Sequence, residues 1–244
     1  MSKNRSDIGI KEKFKQALTS TVKVISEDFN IKENSKNKDS EKFDYFEIDS
    51  LNNKNDFIKA RATSDSKALK KKFSDESIYK KNLPSNSSCR SLYSIAERVR
   101  YEYLGGEMLR GIKKNFENNY NLMISNKKKD HLKSREDVNV SEAFELYMIN
   151  RFHGIKLDNL SSKILKFWED DFDKSIEKHL NFLKNNLEDQ NIYSSKFSEI
   201  LQEMEIFQTN NEQEIKSENE DNKQAPRRHG TARGIVGVCM GVLV

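Results

Sequence analysis

Apolar residues in this chain recur at helical spacing in almost every segment that holds them. In AERVRYEYLGGEMLRGIKKNF, residues 96–116, the stripe starts upstream with Leu92 and Ile95, runs through Ala96, Val99 and Tyr103, and continues with Met108, Leu109, Ile112 and Phe116. Spacings of three and four put such side chains on one helix face and leave charge on the other. The pattern predicts one helix through 92–116, with Gly105 and Gly106 inside it. A glycine in a helix interior costs about 1 kcal/mol relative to alanine. Two together imply close approach of a crossing helix or a kink, or else a hinge or a docking notch.

The same periodicity predicts further helices. Ile10, Phe14, Ala17, Leu18, Thr21, Val22 and Ile25 mark one over 10–29. Ile58, Ala62, Leu69 and Phe73 mark another over 57–73, and its KALKKK lysines (67–72) read as a solvated face. LPSNSSCRS (83–91) is a breaker. Residues 117–140 read as a loop. VSEAFELYMINRFHG (140–154) reads as a helix, capped by Asn139 or Ser141 and closed by Gly154. Ile164, Leu165, Trp168, Phe172, Ile176, Leu180, Leu183 and Leu187 predict one long helix over 161–189. A last helix over 192–207 would pair with it as an antiparallel hairpin. The fold class is therefore mainly α, a bundle-like domain over 1–207. One apolar island, FDYFEI (43–48), is read as a short edge strand or a packed loop.

After residue 207 the chain changes character twice. Residues 208–224 are polar and acidic, and read as a disordered linker. Residues 225–244, APRRHGTARGIVGVCMGVLV, exchange asparagine and lysine for arginine, glycine and valine. This tail is read as translation in a shifted frame, with a C-terminal anchor or an added strand as the alternative.

Composition narrows the function. Of 244 residues, 43 are Lys or Arg and 39 Asp or Glu, so the net charge is only +4. A nucleic-acid binder usually concentrates basic charge on one face, and nucleic acid is not the expected partner. Cys89 and Cys239 make neither a disulfide framework nor a metal spacing. His131, His153, His179 and His229 are scattered, and each is read as structural. The N-terminus lacks the apolar stretch of a secretory signal, and no run approaches the ~20 apolar residues of a membrane span. A cytoplasmic protein is expected. No G-x-x-x-x-G-K-[ST] phosphate loop is present, and no nucleophile with a partnered base stands out. No catalytic, cofactor-binding or metal residues are therefore assigned to the chain.

Several segments together resemble the N-terminal region of the CobT-type subunit of aerobic cobaltochelatase. That family carries an E-x-x-R-x-E-x-x-G helix followed by a glycine and an asparagine. Here these are Glu97, Arg100, Glu102 and Gly105, then Gly111 and Asn115. Asp65, Ala68, Leu69 and Asp75 in SDSKALKKKFSD, and Trp168 downstream, also match in order, and the resemblance spans about residues 10–207. Of the two adjacent glycines only Gly105 fits the pattern.

The resemblance implies a subunit of the ATP-dependent enzyme that inserts cobalt into hydrogenobyrinate diamide during cobalamin biosynthesis. It implies an AAA+ ATPase and a large porphyrinoid-binding subunit as partners, with ATP, Mg and cobalt in the complex. Glu97, Arg100, Glu102, Gly105, Gly111 and Asn115 are the expected subunit-docking residues, although Glu97 and Arg100 at i, i+3 also fit an ordinary surface pair. Family members continue into a von Willebrand A-type domain with a D-x-S-x-S metal site. DKSIE (173–177) and DESIY (75–79) lack its second serine, so no metal ligands carry over and a truncated, non-catalytic form is expected. The alternative is a free-standing helical interaction module that binds nucleic acid through lysines at 67–72, 110–114 and 127–133.

Overall fold

A computed structural model describes residues 3–31, 53–126 and 132–204. The chain divides into two units, Met1–Gln208 and Thr209–Val244. The 43–48 island, the 208–224 linker and the 225–244 tail lie outside the described residues.

Among the described residues the first unit is helical, with no strand. In order come α1 (Lys3–Ser26), α2 (Lys54–Phe73), α3 (Glu76–Lys81), α4 (Ser87–Met108) and α5 (Arg110–Ser125). After a 3-10 turn at Arg135–Asp137 follow α6 (Val140–His153), α7 (Asn159–Lys166) and α8 (Glu169–Ile176). A second 3-10 turn, Glu177–His179, leads to α9 (Leu180–Asn185) and α10 (Gln190–Glu203).

Asparagine and aspartate start many of these helices. Asn53 caps α2 in a reciprocal box with Asp56. Asp75, Asn86, Asn139, Asp158 and Asp189 accept from backbone N–H groups at the starts of α3, α4, α6, α7 and α10. Each satisfies a donor that has no intrahelical partner. Gly154 ends α6 at φ 65°, the left-handed conformation predicted for it.

Helix α4 is the hub. It packs against α2, α5, α6 and α10, while α1 rests chiefly on α2. Leu92, Tyr93, Ala96 and Val99 are fully buried, and so are Phe144, Tyr147, Phe172 and Phe197 from the helices around them.

Three predicted segments differ from the structure. The single helix through 92–116 is two helices, broken at Leu109, where φ −139° and ψ 116° leave the helical region. Met108 and Leu109 lie exposed at this corner, so they do not belong to the buried stripe. Buried residues on either side each face the core, and a one-dimensional stripe cannot register the turn between them. The predicted loop 117–140 begins as helix, because Phe116, Tyr120 and Ile124 form a buried i, i+4, i+8 row in α5. The long helix over 161–189 is interrupted at Phe167 and Trp168 and again near Glu177. Glu169, Asp170 and Asp171 crowd the first turn of α8, where the helix dipole favours negative charge. Helix α10 accordingly packs mainly on α4 rather than forming a hairpin with a long neighbour.

Candidate functional site

On an α-helix, Glu97 and Arg100 lie within about 60° of each other, while Glu102 points about 140° or more from both. Because α4 is covered on several sides, both faces are internal. Glu97, Arg100 and Glu102 are 3%, 0% and 4% exposed. Neither an exposed docking face nor an ordinary surface pair describes these three side chains. Charges so placed lose hydration worth several kcal/mol, which only dense pairing offsets.

The first face supplies that pairing through α10 and the α2–α3 junction. Arg100 Nε lies 3.4 Å from Glu97 Oε2. Arg100 also donates to Phe73 O at 2.6 Å and to Leu187 O at 3.0 Å. It thereby closes the C-terminus of α2 and fixes the segment entering α10. Glu97 accepts from Ser194 Oγ at 2.5 Å and Gln190 Nε2 at 3.2 Å. Gln190 in turn accepts from the Asp75 N–H at 2.6 Å. Tyr193 donates to Ala96 O at 3.1 Å beside them.

The second face ties α4 to α2, α5 and α6. Glu102 accepts from Ser66 Oγ at 2.6 Å and, by a short hydrogen bond, from the Tyr120 hydroxyl. Burial pushes the Glu102 carboxyl above its ordinary range and the Tyr120 phenol far above its own. One turn earlier, Arg98 pairs with Glu145 of α6 at 2.5 Å. Asp65 of α2 accepts from Asn115 Nδ2 at 2.7 Å, and burial raises its carboxyl to about 6. His153 packs against the rings of Tyr103 and Tyr120, and burial lowers it to about 4.

The glycines separate clearly. A Cβ on Gly105 would overlap the buried Leu69 side chain, with Cγ only 2.9 Å away. A Cβ on Gly106 would meet Lys113 Cβ at 3.4 Å, an ordinary contact. Gly111 is exposed and has nothing within 4 Å of such a Cβ, and Asn115 is half-buried.

Ser66, Gln190, Ser194 and Tyr120 complete these networks but escape a reading of single motifs. A signal existed on α10, where Gln190 and Ser194 interrupt an apolar pattern at i, i+4. The expected solvated lysine face is also partly engaged. Lys71 pairs with Asp28 and Lys72 with Glu27, clamping the end of α1 to α2.

Burial raises the Cys89 thiol to about 11, so at neutral pH it is a protonated core side chain. Among the described residues no group of three or more His, Cys, Asp or Glu side chains could hold a metal ion. Among the same residues no helix is long and apolar enough to cross a membrane.

Fold and networks together define a domain that is helical throughout its described residues, organised around a buried, charge-bearing central helix. The family model described as cobalamin biosynthesis protein CobT matches residues 10–233. The chain belongs to the CobT family, which ties it to cobalamin biosynthesis. Comparisons with curated proteins and with solved structures return no match.

Proposed function

We propose that this chain is an assembly subunit of a cobaltochelatase-type machine. It binds an AAA+ ATPase subunit and a large porphyrinoid-binding subunit, and leaves ATP hydrolysis and cobalt insertion to them. Membership of the CobT family over residues 10–233 carries this reading. The packing supports it, because the charges of the family-like motif are spent on holding α2, α4, α5 and α10 together. A rigid helical body of this kind suits presentation of outer surfaces to partners.

The test is reconstitution with the ATPase and porphyrinoid-binding subunits encoded in the same genome. Size-exclusion chromatography with light scattering should show co-elution with one or both. The ATPase rate of the partner should change when this chain is added, while the chain alone should show none. Robust ATP turnover by the isolated chain, or no complex with either subunit at micromolar concentration, would defeat the proposal.

A further inference from the structure

A cleft of about 310 Å³ opens between α1, α2 and α5, away from both buried networks. Its α2 wall is a single stripe in which Lys54, Phe57, Ile58 and Arg61 follow at i, i+3, i+4 and i+7. Phe14 of α1 meets Phe57 edge-on, with ring centroids 4.8 Å apart, and the Arg61 guanidinium lies 5.9 Å from the Phe14 ring. Asn115 and Asn118 supply amides from α5. The Asp65 bond holds Asn115 in place from beneath.

Lys54 and Arg61 are exposed, and neither forms an ion pair with a carboxylate among the described residues. They contrast with Lys71 and Lys72, which make direct ion pairs within the fold, while Arg61 acts only at longer range, on Asp65 one turn along α2. Seven helical residues separate the two cations by about 10 Å. An extended peptide turns every second side chain to one face, so carboxylates at i and i+4, about 13 Å apart at ~3.3 Å per residue, fall within reach of the two long cationic side chains, with residue i+2 between them. The cleft thus offers a cation at each end, an aromatic and aliphatic floor between them, and amide groups along one edge. An acidic segment with an apolar side chain between two carboxylates matches each of these features.

We infer that the α1–α2–α5 cleft docks an acidic peptide segment of a partner protein, with Lys54 and Arg61 each meeting a carboxylate and Phe14 and Phe57 receiving the apolar residue between them. This inference rests on the assembly reading above and gives it a surface.

The experiment uses the full chain and a fluorescein-labelled decapeptide carrying two glutamates four positions apart with a phenylalanine midway between them. Fluorescence anisotropy should show saturable binding that weakens with salt. Lys54→Glu with Arg61→Glu should raise Kd at least tenfold, with circular dichroism and Tm unchanged. Should that pair of reversals disturb folding, Lys54→Gln with Arg61→Gln should still raise Kd several-fold. The same peptide with glutamine at both acidic positions should bind at least tenfold more weakly. No binding by the wild-type chain, equal binding of the glutamine peptide, or equal binding by the charge-reversed chain would overturn the inference. So would a 12-nucleotide single strand that binds as tightly through the same two cations. Reconstitution with the partner subunits separates the two proposals. If wild type and charge-reversed chain assemble equally, the cleft is wrong and the assembly role stands. If wild type binds the peptide but neither subunit, the assembly role fails instead.

Discussion

Gly105 on α4 lies directly against Leu69 on α2, so closely that a single methyl group at position 105 would overlap the leucine side chain. Leu69 is fully buried, so it cannot swing into solvent to make room. Gly105→Ala should therefore destabilise the fold by about 1–3 kcal/mol through overpacking, despite alanine's better helix propensity. Gly106→Ala should do the reverse and add up to about 1 kcal/mol, because its nearest neighbour leaves room. Urea denaturation of the two variants measures both. Equal effects at 105 and 106 would show that the α2–α4 contact is looser than described.

A second expectation concerns Glu97 and Arg100. Removing one member of a buried, hydrogen-bonded ion pair leaves the other charge uncompensated, at a cost of about 3–5 kcal/mol. Arg100→Met also strips donors from Phe73 O and Leu187 O. The double variant Arg100→Met with Glu97→Met should lose less than the two singles added together. A double-mutant cycle at equilibrium reads the coupling. Strict additivity would mean that the two side chains act independently.

These two cases show what the sequence made legible. The amphipathic periods located α2, α6 and α10 well, since each has a buried stripe and a capping side chain at its start, whereas α1 begins seven residues before the predicted start, at Lys3. Gly105 was separated from its neighbour by the resemblance to the CobT-type motif, not by the periodicity, which treats both glycines alike. The charged motif was harder. A pair at i, i+3 looks the same on a surface helix and on one enclosed by four neighbours, and only tertiary packing distinguishes them. The break at Trp168 carries neither glycine nor proline, while the one at Leu109 falls between Gly106 and Gly111 but on neither glycine. Their causes are the fold-back of α5 onto α4 and the docking of Trp168 under Arg135, both contacts between distant residues.

The Asp65 carboxyl, raised by burial to about 6, gives a pH signature. Its unfolded value is about 3.9. The folded chain therefore binds this proton more tightly, and the stability it contributes is greatest below pH 4 and declines as pH rises to 6. A gap of about two units corresponds to roughly 3 kcal/mol. Asp65→Asn keeps an oxygen for Asn115 Nδ2 and removes the charge. The variant should match wild type near pH 4 and exceed it by about 1–3 kcal/mol at pH 7. Glu102, also raised, acts in the same direction, and His153, lowered to about 4, in the opposite one. Both are present in the two proteins and largely cancel in the difference. Parallel stability curves from pH 4 to 7 would contradict the burial of an ionisable Asp65.

Trp168, the chain's single tryptophan, offers the most direct optical readout. The Arg135 guanidinium lies 3.7 Å from the centre of its ring, and Arg135 also pairs with Asp171 at 2.7 Å. Phe172 stacks nearby, at 6.5 Å between centroids and 16° between planes. The arginine thus covers an indole face while its charge is balanced by the start of α8. A cation over tryptophan contributes about 0.5–1 kcal/mol at a partly exposed site. Arg135→Ala should cost about that much, shift the emission to longer wavelength, and open the ring to acrylamide quenching. Asp171→Ala removes the anchor but not the cation, so it should produce a smaller shift of the same sign. An emission maximum unchanged in Arg135→Ala would show that the guanidinium does not cover the ring in solution. That result would also remove the contact that breaks the predicted long helix at Trp168.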